Sequence, residues 1–524
     1  MRPTTGWRRS IAALLVAAVA AAPALLALAA LVLAWRAPDL ALWPHLLEHV
    51  LPSAFVRTLA LGVGVAAGTL VVGGGLAVLT TLCEFPLRRV LAVALVLPLA
   101  IPTYVLAFVY VGVFDYGGTI ALVFRALTGE ASALPSLRNL PGAIVVLTLA
   151  LYPYVYLIAR AALARQGGTL LEAARSQGLA PRAAFVRAVL PAIRPALVAG
   201  TSLAVMEALA DFGAVAVLGV DTLSTAVYKT WYALGSLPGA AQLATLLLAL
   251  VAVAVVAERG ARRGAGYAAR ALKPAPRLSL AGTRAAAATA ACALVVAAAL
   301  LLPVAQLAWW GTRAQGVIAL AAPIASTALV AGGAAVLVLA TGAALVAAVR
   351  MMPGSRVAAA LRELAGLGYA VPGTVLAVGV MLALIRVDAA LALGGALASG
   401  LAGVWIALVA RLQRMGTAPL DAALTQIKPS FRESARTQGL GRLAVARRVD
   451  WPLLKPALLA SLLLVFVEAA KELPATLMLR PLGYDTLAVK IYNATSEGLW
   501  MEAALPALLL VALGLVPSAW LLRR

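Results

Sequence analysis

The sequence has few charged residues, few aromatic residues and almost no cysteine. Asp, Glu, Lys and Arg make up 12% of its 524 residues, whereas 63% are hydrophobic. A soluble domain needs far more polar surface than this composition provides, so an ordinary soluble protein is excluded. The two cysteines, Cys83 at the end of one apolar run and Cys292 inside another, predict no structural disulfide.

The sequence also lacks a phosphate-binding loop. None of its lysines stands in a G-x-x-x-x-G-K-S/T pattern, which would cradle the phosphates of a nucleotide. We therefore expect the chain to bind no nucleotide by that fold and to hold no cofactor of its own.

Long apolar runs dominate the rest of the chain. Since a helix needs about 20 apolar residues to cross the hydrocarbon core, the sequence predicts an all-α membrane protein with about twelve spans. The predicted spans are residues 11–34, 54–82, 90–112, 141–163, 195–219, 239–258, 285–308, 324–349, 364–385, 394–410, 457–479 and 501–522.

The net charge of +22 could suit a nucleic-acid partner, but its distribution favours topology instead. Most Lys and Arg residues fall between spans on one side, which the positive-inside rule makes cytoplasmic. This predicts cytoplasmic N- and C-termini, a lipid environment and no nucleic acid. The first apolar run, after Arg8 and Arg9, is longer than a signal-peptide core, which favours an uncleaved span over cleavage near Ala29.

The sequence predicts that the chain consists of two halves. Residues 258–284 are basic and rich in Gly and Pro, and predict a cytoplasmic linker between a first half, residues 1–257, and a second half, residues 285–524. Each half has six predicted spans, so both halves begin and end on the same side. They are therefore expected to be parallel repeats, related by an axis along the membrane normal.

One polar phrase occurs in both halves. The octet "EAARSQGL", Glu172–Leu179, returns as "ESARTQGL", Glu433–Leu440, each between the fourth and fifth spans of its half and on the cytoplasmic side. The alanine-rich part predicts a short helix, which Gly178 and Gly439 would end in a left-handed conformation. A plain turn set by topology is the alternative, but topology needs only Lys and Arg.

The extended loops, residues 164–194 and 411–455, resemble the EAA loop of type I ABC importer permeases. The matching stretches are "EAARSQGLAPRAAFVRAVLPAIRP" and "ESARTQGLGRLAVARRVDWPLLKP", in which Ser434 and Trp451 depart mildly from the pattern. The resemblance implies the type I permease fold and two copies of a separate cytoplasmic ATPase that uses ATP and Mg. It assigns the coupling role to Glu172, Ala173, Ala174, Gly178, Glu433, Ser434, Ala435 and Gly439.

Two groups of charged residues stand well inside predicted spans, where each charge costs roughly 2.5–3.5 kcal/mol on insertion scales and suggests a function. Glu207 and Asp211, four residues apart, would share a helix face, as would Glu468, Lys471 and Glu472. They are candidates for a translocation pathway. The alternative is structural: Lys471 would pair with Glu468 and Glu472 and hold the bundle together.

The segments that follow these charges resemble the fused two-half permeases of ferric iron importers. They read "EALADFGAVAVLGVDTLSTAVYKTWYALG" and "EAAKELPATLMLRPLGYDTLAVKIYNATSEG". The resemblance implies Fe(III) as cargo, delivered by a periplasmic binding protein and moved across the bacterial inner membrane. Related permeases move thiamine, polyamines or phosphonates, and a proton-coupled secondary transporter with Glu207 and Asp211 as relays is the alternative from another class.

Two outer segments carry candidate contacts for the binding protein. They are Asp221 and Tyr228 in the first half and Asp485 and Tyr492 in the second. Aromatic residues at such positions can equally be anchors at the membrane interface. Oxygen ligands of this kind suit a hard cation, but the sequence leaves any metal-binding site unknown.

Both histidines occur in "HLLEH", His45–His49, which matches the H-x-x-E-H pattern of inverted zinc proteases with Glu48 as the base. The motif lies in a short loop between Pro44 and Pro52, and no downstream acidic ligand is evident. A peripheral metal site or interfacial histidines are therefore the preferred interpretation, ahead of a protease.

Overall fold

A computed structural model describes residues 4–129, 134–262, 277–314, 319–427 and 429–522 of the chain. In the first half the helices are α1 Thr4–Leu33, α2 Trp43–His45, α3 Leu51–Leu82, α4 Arg88–Ala94, α5 Thr103–Phe114, α6 Thr119–Thr128, α7 Leu140–Ala162, α8 Gly168–Ser176, α9 Pro181–Ala184, α10 Leu190–Ala210, α11 Gly213–Val217, α12 Leu223–Tyr232 and α13 Leu237–Arg262.

The second half is also helical. Its helices are α14 Gly282–Val296, α15 Leu302–Gly311, α16 Ala321–Arg350, α17 Arg356–Gly366, α18 Gly373–Leu391, α19 Leu401–Gln426, α20 Pro429–Thr437, α21 Arg442–Val445, α22 Trp451–Lys471, α23 Pro474–Leu479, α24 Leu487–Ser496 and α25 Trp500–Leu522. Short 3₁₀ and π-helical turns join several of these helices.

Within the described residues, ten helical segments are long and apolar enough to cross a membrane. Predicted span 394–410 corresponds to α19, which begins later and is more polar than the other spans. Predicted span 501–522 corresponds to α25. The all-α membrane fold is therefore confirmed.

Four predicted spans are not the continuous helices that their apolar runs suggest. Spans 90–112 and 364–385 pass through a short helix and a 3₁₀ turn, and then restart after Pro102 and Pro372 as α5 and α18. Proline lacks an N–H and restricts the residue before it, which favours such breaks. Spans 195–219 and 457–479 break after Ala210 and Lys471.

One compact unit comprises Met1–Leu40, Val227–Thr245 and Ala319–Lys490. In this unit α1 packs on α16, α17 and α18 through a stripe of buried alanines. A Cβ atom on Gly379 of α18 would lie 2.6 Å from the carbonyl oxygen of Ala27 in α1. Small residues therefore allow the two backbones to approach closely, as in other membrane helix pairs.

A second compact unit comprises Ala41–Ala226, Leu246–Ile318 and Ile491–Arg524. Here α3, α7 and α10 pack together, and α15 contacts α5 and α25. The ring of Phe108 lies 6.3 Å from those of both Trp310 and Trp500. Each unit thus contains the first span of one sequence half and central spans of the other, so the packing units differ from the sequence halves.

Part of the predicted linker, residues 263–276, lies outside the described residues. Its far end forms the strand β2, Leu278–Ser279, which pairs in parallel with β1, Cys83–Glu84, at the end of α3. The Glu84 carboxylate lies 3.1 Å from Arg88 Nε and 3.4 Å from Arg277 Nη1. The hydrogen bond from Arg88 lowers the pKa of Glu84 below its ordinary value.

Candidate functional site

The first repeated octet forms α8 and a tight helix end. Glu172 and Ala173 are exposed, whereas Ala174 is buried against the loop. The Gly178 N–H donates to the Arg175 carbonyl at 2.9 Å, and the next N–H donates to the Ala174 carbonyl at 3.2 Å. Gly178 has φ of 86°, so this is a helix end that favours glycine.

The second octet repeats this geometry in α20. Glu433 and Ser434 are exposed, and Ala435 is buried. Gly439 has φ of 82° and donates its N–H to the Arg436 carbonyl at 3.0 Å, while the Leu440 N–H donates to the Ala435 carbonyl at 3.2 Å. The predicted left-handed glycine is confirmed in both copies.

Each octet connects directly to the fifth span of its half. After Gly178 the chain forms α9 and a π-helical turn, Phe185–Val189, and continues without interruption into α10. After Gly439 it forms α21 and the π-helical turn Ala446–Asp450, and continues into α22. A displacement of α8 or α20 can therefore be transmitted to a membrane span through a short helical segment.

The two octets differ in what ties them to the following helix. In the second copy, Arg432 Nε of α20 lies 2.7 Å from Asp450 Oδ1 in the π-helical turn. At the matching positions the first copy has Leu171 and Val189, which are 6% and 0% exposed. The first copy thus has two buried apolar side chains at the positions where the second copy has an ion pair.

The intramembrane carboxylate Asp211 stands at a helix break. It follows the last residue of α10, and its Oδ1 accepts hydrogen bonds from the N–H groups of Ala214 at 2.8 Å and Val215 at 3.3 Å. The Thr103 hydroxyl donates to its other oxygen at 2.5 Å. A carboxylate at the start of α11 satisfies N–H groups that the helix leaves unpaired.

Glu472 stands at the same break in the second half. Its carboxylate accepts hydrogen bonds from the N–H groups of Ala475 at 3.1 Å and Thr476 at 3.0 Å at the start of α23. It also forms an ion pair with Arg411, with Nη1 3.5 Å from Oε1. Asp211 and Glu472 therefore lie just beyond the ends of α10 and α22. The sequence predicted that each would share a helix face with the charge one turn earlier, and that prediction is wrong because the helix ends before it.

The remaining charges lie inside α10 and α22. Lys471 Nζ lies 2.7 Å from Glu468 Oε1, which confirms that predicted pair. Glu207 is partly buried in α10 at the position that corresponds to Glu468. The repeat thus keeps two carboxylates per half, one inside the helix and one at its break.

In the first half, the outer segment is attached to α3. Arg57 Nη1 lies 3.7 Å from Asp221 Oδ2, and the Leu223 N–H donates to Thr58 Oγ1 at 2.9 Å. Ser224 donates to the carbonyl of Asp211 at 2.6 Å, which links this segment to the helix break.

In the second half, Asp485 pairs within its own segment, with Oδ1 2.5 Å from Arg480 Nη1. The Leu487 N–H donates to Thr327 Oγ1 at 2.8 Å. The two candidate tyrosines are partly buried: the ring of Tyr228 lies 4.8 Å from that of Tyr232, and the ring of Tyr492 lies 5.7 Å from that of Phe212. Their role as binding-protein contacts stays a prediction.

The histidine motif forms a small exposed cluster. The rings of His45 and His49 lie 5.2 Å apart, and His49 Nε2 lies 3.8 Å from Glu48 Oε2. Across the part of the chain that the structure describes, no group of three or more His, Cys, Asp or Glu side chains is placed to hold a metal ion.

Sequence reasoning missed Thr103, Arg411 and Arg480. Arg411 begins the predicted loop 411–455, where the positive-inside rule alone explains a positive charge. The signal for Thr103 was the echo "IPTYVLA" and "VPGTVLA", in which Gly373 stands in its place. Arg480 lies between α23 and Asp485, in a connection that is two residues longer than the one between α11 and Asp221 in the first half.

Comparison with known proteins identifies both halves. A family model described as a binding-protein-dependent transport system inner membrane component matches residues 70–262 and 340–524. Each matched segment contains one octet, its helix end and one carboxylate at a helix break.

Individual relatives cover different shares of the chain. It is 26% identical over 456 residues to the Fe(3+)-transport system permease protein FbpB 2 of Haemophilus influenzae, covering 84% of this chain and 85% of that protein. It is 28% identical to the putative 2-aminoethylphosphonate transport system permease protein PhnU of Salmonella choleraesuis, over 35% of this chain and 67% of that one. It is 30% identical to the probable sulfate transport system permease protein cysT of Nephroselmis olivacea, over 26% and 46% respectively.

Proposed function

The chain belongs to the family of binding-protein-dependent transport system inner membrane components, and we propose that it is the permease of an ABC importer for ferric iron. As a member of this family it is a membrane transport subunit and not itself the ATPase. The observation that carries the proposal is the pair of matching helix ends at Gly178 and Gly439, each joined directly to a span with intramembrane carboxylates.

The energy comes from a separate cytoplasmic ATPase that hydrolyses ATP with Mg. Each octet presents exposed side chains on a short helix, which suits insertion into a groove of a partner. In α20 the ring of Phe431 is 53% exposed beside Glu433, and an exposed aromatic residue of this kind is a typical anchor in an interface. With one ATPase per octet, the importer contains two copies of the ATPase. Both termini of the permease lie on the cytoplasmic side of the bacterial inner membrane.

Two of the charged residues inside the spans are proposed to contact the cargo. Asp211 and Glu472 are hydrogen-bonded to the short helices that follow them, which suits a role in holding the breaks. Glu207 and Glu468 occupy matching positions one turn earlier, and Glu468 forms an ion pair with Lys471. We assign the cargo contact to Glu207 and Glu468.

The iron assignment rests on similarity and on ligand chemistry. The relative named as an Fe(3+) permease matches most of this chain. Carboxylate oxygens are ligands that suit a hard cation such as Fe(III). A periplasmic binding protein would deliver the ion to the outer segments, where Asp221, Tyr228, Asp485 and Tyr492 are the proposed contacts.

Uptake of ⁵⁵Fe(III) by cells that express the chain with its ATPase and binding protein tests the cargo. We expect ATP-dependent accumulation that falls at least tenfold in Glu207→Gln/Glu468→Gln. Glu497→Gln, an exposed carboxylate at the end of α24, is the matched control and should leave uptake unchanged. No accumulation above cells without the permease would contradict the iron assignment.

A second cargo is favoured by the phosphonate permease among the relatives. Competition separates the two: excess 2-aminoethylphosphonate should leave ⁵⁵Fe(III) uptake unchanged. Uptake of the labelled phosphonate without iron uptake would establish the alternative. Uptake that survives deletion of the ATPase and collapses with the proton gradient would instead indicate a secondary transporter.

A further inference from the structure

Each half places an arginine beside the aspartate of a repeated Asp-Thr-Leu turn, but the two arginines come from different places. In the first half, Asp221 pairs with Arg57 of α3 at 3.7 Å. In the second half, Asp485 pairs with Arg480, which belongs to the same outer segment, at 2.5 Å. Both turns lead directly into a helix, α12 or α24.

Two threonines establish which residues correspond. Thr58 Oγ1 accepts a hydrogen bond from the Leu223 N–H at 2.9 Å, and Thr327 Oγ1 accepts one from the Leu487 N–H at 2.8 Å. Both hydroxyls also donate to the carbonyl four residues earlier, at 2.6 Å and 2.7 Å. The residue before Thr58 is Arg57, so its counterpart before Thr327 is Ser326.

The second half therefore has Ser326 at the position of Arg57, and its cation lies in an insertion. Between the short helix and the aspartate, the first half has Leu218 followed by "GV", whereas the second has Leu479 followed by "RPLGY". The inserted segment begins with Arg480. We propose that Arg480 is a positioning residue that substitutes for the cation missing at Ser326 and holds the Asp485 turn in place at the start of α24.

The burial of the pair indicates why a cation is needed there. The side chains of Arg480 and Asp485 are 19% and 37% exposed, against 46% and 49% for Arg57 and Asp221. Arg480 Nη1 also donates to the carbonyl of Tyr484 at 3.5 Å. The pair is thus intermediate between a surface ion pair and a buried one, and removal of Arg480 leaves the half-buried Asp485 carboxylate without its cation.

The positioning role is measured by hydrogen exchange of the purified full-length permease, which requires no cargo. In Arg480→Ala we expect the amides of residues 486–490 to exchange about fivefold faster than in the wild type, as for loss of about 1 kcal/mol. Addition of Ser326→Arg should restore the wild-type rate, because the new arginine occupies the position of Arg57. Ala325→Arg is the matched control and should not restore it.

The rescue distinguishes this role from general structural damage. Recovery in Ser326→Arg/Arg480→Ala, including recovery of a folded protein if Arg480→Ala alone does not fold, supports the proposal. Unchanged exchange in Arg480→Ala, failure of the rescue, or equal rescue by Ala325→Arg would each overturn it. The inference rests on the proposed function only for its effect on uptake, so absence of iron transport in the wild type would contradict the cargo and not the role of Arg480.

Discussion

Arg411 and Glu472 form an ion pair between α19 and the break after α22, with side chains that are 21% and 4% exposed. The same carboxylate accepts hydrogen bonds from two N–H groups at the start of α23. In the first half, Asp211 has the same capping role, and Thr103 donates to it from the position that Gly373 occupies in the second half. The two helix breaks are thus built from the same carboxylate with different neighbours.

We expect Arg411→Leu to destabilise the permease by about 3–5 kcal/mol, because Glu472 would be left buried without its cation. Arg411→Leu/Glu472→Gln removes the charge as well and keeps an oxygen that can accept from the Ala475 N–H. The double variant should therefore be more stable than Arg411→Leu in thermal unfolding of the detergent-solubilised protein. Equal losses in the two variants would show that the pair contributes through packing alone.

Gly373 leaves the space that this pair occupies. A Cβ atom there would lie 2.5 Å from Arg411 Nη1 and 2.7 Å from Glu472 Oε1. Gly373→Ala should cost about 1–3 kcal/mol through overpacking. The control is Gly332→Ala in α16, where nothing lies within 4 Å, and it should be neutral or stabilising. Thermal unfolding of both variants decides the point, and equal stability would contradict the packing argument.

The ion pair between Arg432 and Asp450 predicts a difference between the two octets in the proposed ATPase binding. Arg432→Leu alone should weaken ATPase association, because it leaves Asp450 without its partner. Arg432→Leu/Asp450→Val copies the apolar residues of the first loop and should recover association. The salt dependence of ATPase binding, measured by co-purification, should also be smaller in the double variant than in the wild type. No recovery would mean that the charges contact the ATPase directly.

The linker attachment at Glu84 predicts an acid limit to stability. The hydrogen bond from Arg88 lowers the pKa of Glu84, so the folded state releases this proton more readily than the unfolded state. The contribution is present above the ordinary glutamate pKa of about 4.3 and is lost as the pH falls through the lower folded-state pKa. Unfolding temperatures at pH 6 and pH 3.5 should differ less in Glu84→Gln than in the wild type. An identical difference would contradict the linkage.

Local chemistry made the helix ends of the two octets predictable. A glycine after an alanine-rich turn is sufficient to predict a left-handed helix end, and Gly178 and Gly439 both adopt it. Ten of the twelve predicted spans correspond to described helices that are long and apolar enough to cross a membrane, because length and apolarity can be read from the sequence. These predictions need no knowledge of tertiary contacts.

The helix breaks and the packing units were not predictable in the same way. Asp211 and Glu472 stand within apolar runs, so hydropathy includes them in a span, and their capping bonds exist only once the chain has turned. The contact of α1 with α18 depends on alanine and glycine, which permit close packing with many partners and specify none. The role of Arg480 becomes visible only when Thr58 is matched with Thr327, and that match rests on tertiary hydrogen bonds.

We propose that each octet binds one copy of a cytoplasmic ATPase. Gly178→Asp/Gly439→Asp places a side chain and a negative charge at both helix ends, where the space within 4 Å is empty and the helix dipole disfavours an anion. Gly129→Asp is the matched control, since Gly129 also has positive φ and open surroundings at the end of α6. Co-purification of the ATPase with the tagged permease, with the permease quantified in the membrane, is the direct measurement. We predict wild-type membrane levels for all variants and loss of the ATPase only in the double variant; retention of the ATPase by the double variant would contradict the account.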